Sequence, residues 1–260
     1  MWKILKYSLF DLSRSRWIYL YATFFFLFTF GLLLIGGSVS KVIISLLQII
    51  LVLVPLMGIM FGIIYYYNSR EFTELLLAQP IRRTHVFIGQ YFGVAITLTL
   101  CLFAGAGIPF LISGVLNINQ LYNILTLLGV GALLTVIFTS FAFLVGLKNE
   151  NRIKGFSLAI FIWLLFAIIY DGVFLLLLSG FSDYPLENFA ITASLLNPID
   201  LSRVLILLQL DTSALMGYTG AVFQKFLGNN WGMLGASMAL FLWVLIPAFG
   251  IWQVSLRKDF

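Results

Sequence analysis

Few side chains in this sequence of 260 residues could carry chemistry, and they lie far apart along the chain. Cys101 is the only cysteine, so neither an internal disulfide nor a cysteine zinc cluster can form. His85, the only histidine, has no carboxylate or cysteine at a metal-ligand spacing. The sequence has no glycine-flanked serine nucleophile and no phosphate-binding glycine loop with a lysine. The chain is therefore not expected to be an enzyme or to hydrolyse ATP by itself.

Asp171 is the one ionisable side chain well inside an apolar stretch, AIIYDGVFLL. A charge at the centre of a membrane helix costs about 2.5–3.5 kcal/mol, so the carboxylate is expected to face protein or water. It could line a transport pathway or bind a cation. The alternative is that Asp171, about 16 residues into its helix, lies in the outer part of the membrane and only hydrogen-bonds a neighbouring helix.

Met57 and Met60 lie three residues apart, hence on one helical face, and Cys101 belongs to the next apolar stretch. Thioether and thiolate groups suit Cu(I). Methionine is also ordinary filler in apolar helices, and two methionines make an incomplete metal site. Packing is the favoured interpretation, with a transient copper contact as the alternative, and no metal site is predicted.

The composition places these residues in a membrane protein. The chain is 62% hydrophobic and 10% charged, whereas soluble domains carry about 25% charged residues. Its net charge of +5 is too small and too scattered for a nucleic-acid surface. Crossing the hydrocarbon takes about 20 apolar residues, and only helices satisfy the backbone there without open sheet edges. The sequence predicts an all-α integral membrane domain over 1–260 with six spans: 17–37, 42–66, 86–114, 121–147, 155–179 and 233–254.

Basic residues set the predicted orientation, because cytoplasmic segments carry an excess of Lys and Arg. Only Lys41, Arg203 and Lys225 fall on the predicted outer side. The other twelve of the fifteen fall on the opposite side: Lys3, Lys6, Arg14, Arg16, Arg70, Arg82, Arg83, Lys148, Arg152, Lys154, Arg257 and Lys258. Both termini are therefore expected in the cytoplasm. Residues 1–16 are predicted to form a basic amphipathic helix in contact with membrane lipid, the alternative being a straight continuation of the first span.

The predicted external loop, 180–231, holds two short apolar segments. Asn197, Pro198 and Asp200 have the order of a helix start: a cap, a first-turn proline and an acidic first turn. The second segment, 215–227, is too short to span and predicts an interfacial or re-entrant helix. The loop is interpreted as a lid or as a docking surface for an external partner, with plain packing at the membrane surface as the alternative.

The polar segment, residues 68–90, reads NSREFTELLLAQPIRRTHVFIGQ and separates two long apolar stretches. Its part 68–85 predicts a cytoplasmic helix of about three turns. Glu71 and Glu74 favour the N-terminal end of that helix, and Pro80 stops it. A leucine ridge at 75–77, flanked by charges, suits docking into a groove of another protein.

The polar segment resembles the coupling segment of type-2 ABC exporter permeases, which has an acidic residue, Thr, Leu-Leu, Pro and Arg before a Gly-Lys. Phe72 stands here where that family often has Gly, and Gln90 where it usually has Lys. The resemblance implies a separate cytoplasmic ATPase dimer that holds ATP and magnesium, with no cofactor bound by this chain. The implied contact residues are Arg70, Glu71, Phe72, Thr73, Glu74, Leu75, Leu76, Leu77, Pro80, Arg82 and Arg83.

A narrower resemblance is to the permeases of nitrous-oxide-reductase maturation systems. It rests on NRIKGFSLAIFIWLLFAIIYD, LLNPIDLSRVLILLQL and ALMGYTGAVFQKF. It implies a homodimer in a bacterial inner membrane, a periplasmic accessory protein and a role in copper-centre assembly. The implied contacts with the periplasmic protein are Asn197, Pro198, Asp200 and Arg203. The alternatives are an ABC exporter of a lipid or drug and, from another class, an ion-coupled transporter or membrane enzyme that uses Asp171.

Overall fold

The computed structural model describes residues 2–35, 38–79, 81–114, 118–181, 187–210 and 230–257. All regular secondary structure in these ranges is helical, which confirms the predicted all-α class. Pro80 and the apolar segment 215–227 lie outside the described residues.

The described residues form twelve α-helices and two π-helical segments. The α-helices are α1 (Trp2–Ser13), α2 (Arg16–Ile35), α3 (Val39–Asn68), α4 (Arg70–Leu77), α5 (Arg83–Leu102), α6 (Ile108–Ile112), α7 (Ile118–Lys148), α8 (Arg152–Leu164), α9 (Tyr170–Gly180), α10 (Glu187–Leu195), α11 (Pro198–Gln209) and α12 (Asn230–Arg257). The π segments are Phe103–Gly107, between α5 and α6, and Leu165–Ile169, between α8 and α9.

Six stretches within the described residues are long and apolar enough to cross a membrane: Arg16–Ile35, Val39–Asn68, Arg83–Ile112, Gln120–Lys148, Arg152–Gly180 and Met233–Leu256. They coincide with the six predicted spans, so the chain is an all-helical integral membrane protein. We call the end of the bundle that carries α4 the α4 end, and the other the far end.

The centre of the bundle is the contact between α3 and α7, with α5 and α12 packed against α7. Small residues let the two central helices approach closely, since lipid tails give apolar side chains no reason to prefer one another and dense packing must supply the attraction. Gly62 of α3 lies against Ala142 of α7, and Gly58 lies against the α7 backbone at Thr135. Phe138 of α7 is fully buried in the same interface.

Helix α1 is separate from α2, with a turn at residues 14–15, as the interfacial-helix prediction requires. It packs along α5, where Ser8 lies directly over Gly93. Leu5 and Leu12 are buried, whereas Trp2 is exposed. The amphipathic pattern of residues 2–13 therefore places its apolar stripe on α5 and leaves an aromatic residue on the outer surface.

We expect Gly62→Ala to lower the free energy of unfolding by about 1–3 kcal/mol, the usual cost of overpacking a core. A Cβ at residue 62 would meet the Ala142 Cβ at 2.6 Å. Gly129→Ala on α7 is the matched control, because a Cβ there meets nothing within 4 Å. Unfolding in a detergent titration measures both, and equal stabilities for the two variants would contradict the close α3–α7 approach.

Candidate functional site

Helix α4 is the structural form of the polar segment. It runs from Arg70 to Leu77, eight residues or about two turns, one turn fewer than the sequence predicts. Glu71 lies in its first turn, as expected for an acidic residue near a helix N-terminus. A single residue, Ser69, separates α4 from α3. Helix α4 is therefore joined almost directly to the central helix of the bundle.

The inner face of α4 is fixed to α5 by a hydrogen-bonded pair of buried side chains. The Gln90 side-chain amide donates to Thr73 Oγ1 at 2.9 Å. The Thr73 hydroxyl in turn donates to the Ser69 carbonyl at 2.8 Å. In the sequence, Gln90 is distinctive only because it stands where the resembled family usually has lysine. Its contact with Thr73 is a structural role that the sequence did not predict.

Two further contacts hold α4 from the sides. Phe72 stacks on Tyr7 of α1, with ring centroids 4.7 Å apart. Arg70 Nε pairs with Glu74 Oε1 at 3.0 Å, and its NH1 donates to the Glu150 carbonyl at 3.3 Å. The helix thus contacts α1, α5 and the connection between α7 and α8.

The connection 149–151 is itself bound to α3. Tyr67 Oη donates to the carbonyls of Asn149 at 2.8 Å and Asn151 at 3.3 Å. The Asn151 side chain caps α8 by accepting from the Ile153 backbone N–H. The Tyr67 hydroxyl occupies the space that a Cβ on Gly155 would need. Sequence analysis missed these residues, although an asparagine before a basic helix start is a recognisable cap.

The outer face of α4 carries Glu71, Glu74 and Leu75, the last with 70% of its surface exposed. Leu76 and Leu77 are half-buried, so the predicted three-leucine ridge is divided between the bundle and the surface. Arg82 and Arg83 are exposed just beyond it. One exposed leucine among charges of both signs suits a protein partner better than lipid.

A cavity of about 1010 Å³ opens beside α4, between α1, α2 and α3. Met57 and Met60 both line its apolar part, and Asp11 and Arg14 lie among its polar residues. Cys101 is not among the lining residues, so the structure does not join it to the two methionines. No group of three or more His, Cys, Asp or Glu that could hold a metal ion occurs in the described ranges.

The predicted external helix lies inside the bundle as the second half of a sharply bent helix pair, α10 and α11, which we call the hairpin. The chain bends by 113° between residues 189–195 of α10 and helix α11. Helix α11 packs on α3, α7 and α12. At its start, Asn197 bonds Phe166, near the middle of the fifth span. At its end, Gln209 contacts Asn123, in the part of α7 that lies at the far end of the bundle.

The predicted start of α11 is confirmed. Asn197 Oδ1 accepts from the Ile199 backbone N–H at 3.0 Å, Pro198 occupies the first turn and Asp200 follows. The location differs from the prediction because both the leucine-rich face and the opposite face of α11 are buried, including Ser202. An amphipathic pattern alone does not show that the second face is covered.

The hairpin turn is stabilised by side chains that reach its backbone groups. Tyr170 Oη donates to the Ala193 carbonyl at 2.5 Å, and Trp243 Nε1 donates to the Leu195 carbonyl at 3.0 Å. Asn197 Nδ2 donates to the carbonyl of Phe166, which belongs to the second π segment. A helix end inside a membrane needs such partners, since no water satisfies its carbonyls. The sequence signal for these contacts is a Tyr or Trp side chain in the middle of an apolar span, where its polar group needs a partner.

An ion cluster joins α9 to α11. Arg203 NH1 lies 3.3 and 3.2 Å from the two carboxylate oxygens of Asp171 and 3.0 Å from Asp200 Oδ1. The Asp200 side chain is 7% exposed, Arg203 23% and Asp171 31%. The structure thus brings the pathway candidate Asp171 together with two residues predicted to contact a periplasmic partner. Asn197, Pro198 and Asp200 are buried against the chain's own helices, and their contact with a partner stays a prediction.

No family model matches this chain, but two known proteins are similar to it over most of its length. It is 25% identical over 222 residues to the probable ABC transporter permease protein NosY of Stutzerimonas stutzeri, covering 79% of this chain and 80% of that protein. It is 24% identical over 233 residues to the protein of the same description from Pseudomonas aeruginosa, covering 84% and 85%. The resemblance to ABC transporter permeases inferred from the sequence is confirmed.

We expect Thr73→Val to loosen α4, because it removes the only group to which the buried Gln90 amide donates among the described residues. An unmatched buried donor costs about 1–3 kcal/mol, which corresponds to faster amide exchange in α4 by roughly fivefold or more. Hydrogen–deuterium exchange of residues 70–77 measures the effect. Thr73→Ser should retain wild-type exchange, and Glu71→Gln on the exposed face is the control. Exchange in Thr73→Val no faster than in that control would contradict the role of this pair.

Proposed function

We propose that this NosY-like membrane subunit couples ATP hydrolysis by a separate cytoplasmic ATPase to work across the membrane. The single observation that carries the proposal is α4: a short surface helix with one face bound to the bundle and the other exposing Leu75 between acidic residues. A helix of this kind fits a groove on a partner. The resemblance to ABC transporter permeases supplies the class of that partner.

The contacts of α4 support a mechanical role. Ser69 joins it to α3, Gln90 holds it to α5, and Arg70 reaches the connection that starts α8. When ATP closes the two subunits of the ATPase, a force on α4 would reach three membrane helices at once. ATP and magnesium would be bound by the ATPase, and this chain would supply only the lever.

The arrangement in the membrane follows from this docking. If the ATPase is cytoplasmic, the α4 end and both termini face the cytoplasm of the bacterial inner membrane, as the basic residues predict. A homodimer would present two α4 helices to the two ATPase subunits. The fifth span, Arg152–Gly180, supports this stoichiometry because very little of it is buried within one chain.

The specialised role we propose is assembly of the copper sites of nitrous oxide reductase together with a periplasmic accessory protein. The resemblance to NosY supports it. Met57 and Met60 lie on the same cavity, where two thioethers could give Cu(I) a passing contact, although they do not complete a site. The motion could move a cargo or remodel the external protein, with Arg203, which is partly exposed, near that contact.

A second candidate function is export of a lipid or drug. It is favoured by the cavity itself, whose apolar wall and polar group of Asp11, Arg14 and Asn68 would suit an amphiphile. The third hypothesis, an ion-coupled transporter that uses Asp171, is less well supported because Arg203 already pairs with that carboxylate.

We expect Leu75→Glu to abolish stimulation of the partner ATPase while leaving the membrane chain folded. Leu75 is 70% exposed, so the substitution adds charge to the proposed contact and removes no internal packing. Truncating or charging a central contact residue typically costs about 2 kcal/mol or more of binding. The measurements are co-purification with the ATPase and ATP turnover in nanodiscs. Leu75→Met is the matched control, and a Leu75→Glu complex with unchanged turnover would exclude α4 as the docking helix.

The copper role has its own test. Deleting the gene in its native organism should yield nitrous oxide reductase that is present but poor in copper, because its sites are not assembled. Metal analysis of the purified reductase measures this, and a strain complemented with the wild-type gene is the control. A reductase with full copper content in the deletion strain would favour the exporter hypothesis instead, which changed lipid or drug efflux would support.

A further inference from the structure

The ion cluster of Asp171, Arg203 and Asp200 differs in kind from the other side-chain contacts that hold the hairpin. Tyr170 and Trp243 each donate a hydrogen bond to a backbone carbonyl at the end of α10, beside the turn. The cluster instead joins charged side chains of two separate elements, α9 and α11. Charged groups at this depth are costly unless they are paired, so their presence needs a reason.

The pairing is asymmetric in a way that allows it to open. Asp200 and Arg203 belong to the same helix, at positions i and i+3, so a rigid movement of α11 does not separate them. Asp171 is the only member of the cluster contributed by α9, and it is also the most exposed, at 31%. If α11 leaves α9, the Arg203 guanidinium keeps the Asp200 carboxylate, and the carboxylate that loses its partner is Asp171, the most exposed of the three side chains. The guanidinium is therefore not left without a counter-charge, which is the most costly outcome of breaking a buried ion pair.

A continuous set of contacts leads from this cluster to the α4 end. Arg70 of α4 bonds the connection 149–151, and α8 begins directly after it. Helix α8 continues through the π segment Leu165–Ile169 into α9 and Asp171. A π segment is a wide turn with weaker regularity, and such turns are frequent at functional sites. Asn197 of the hairpin bonds this same segment at Phe166.

We propose that Asp171, Arg203 and Asp200 form a releasable latch that holds the hairpin against the fifth span, between the middle of that span and the far end. Arg203 is the positioning residue because, of the residues that the structure describes, it is the one that bonds both carboxylates. Closing the latch keeps α11 packed between α3, α7 and α12. Releasing it removes the charged contact and leaves the hydrogen bonds of Tyr170 and Asn197 between the hairpin and the fifth span, so that the hairpin can shift as that span moves. The latch is a property of this chain alone; only its link to ATP use rests on the proposed function.

The test measures the distance between the hairpin and the fifth span in the full-length chain. In a Cys101→Ser background, spin labels are placed at Leu196, in the hairpin turn, and Leu176, on α9. Both positions are exposed, so the labels displace little. Pulsed electron resonance in lipid nanodiscs, with labelled chain diluted into unlabelled chain, should give one distance between the two labels of the otherwise unchanged chain. With Asp171→Asn or Arg203→Gln, we expect the population at a second, longer distance to rise about tenfold.

Exchanging the two charges distinguishes an effect of the ion pair from an effect of lost side-chain packing. The double variant Asp171→Arg with Arg203→Asp restores an ion pair across the two helices and should return the single short distance, whereas either change alone should not. Asp11→Asn, the same chemical change far from the hairpin, is the control and should leave the distance unchanged. Unchanged distances in all single variants, or a double variant as open as the single ones, would overturn the latch.

The same variants distinguish the latch from the proposed function. With the partner ATPase bound, adding ATP should raise the long-distance population in the wild-type chain, and Asp171→Asn should already show it without ATP. A latch that opens in Asp171→Asn but never responds to ATP would support the latch and count against the coupling role of α4. A response to ATP without any effect of the charge variants would support the coupling role and overturn the latch.

Discussion

The structure depends on one constraint: within a membrane, every backbone N–H and C=O group must find a partner inside the protein. Straight spans meet it by themselves, but the hairpin of α10 and α11 does not, because its turn leaves helix-end groups at mid-span depth. Tyr170, Trp243 and Asn197 meet the requirement from three different positions in the chain. The hairpin can therefore exist only where the fifth and sixth spans place those side chains.

The same constraint links the hairpin to the irregular part of the fifth span. The second π segment disrupts the regular i to i−4 pattern, and one of its carbonyls, that of Phe166, accepts from Asn197. A defect in one helix thus supplies the acceptor for the start of another. The charges of Asp171 and Arg203 lie one turn beyond, where each is available to compensate the other.

At the opposite end, polar contacts serve a different purpose. Thr73, through Gln90, and Arg70 connect a surface helix to two separate parts of the bundle, α5 and the connection 149–151, while its acidic outer face remains exposed. Attachment on one side and an exposed leucine on the other fit the lever role that we propose for α4. The central α3–α7 contact, packed closely at Gly62, gives that lever a firm base.

The sequence by itself determined the membrane class, the six spans, the separate α1, the position of α4 and the start of α11 at Asn197. Each of these follows from a local pattern: the length of an apolar run, helical periodicity, or a cap followed by proline and an acidic residue. The tertiary structure alone decided that α11 enters the bundle, that Asp171 meets Arg203, and that Gln90 holds Thr73. These are contacts between residues 17 to 32 positions apart or on different spans, and a local pattern does not encode which helix faces which. Helix packing decides that, because each polar side chain placed in lipid must be matched by another brought from elsewhere in the chain.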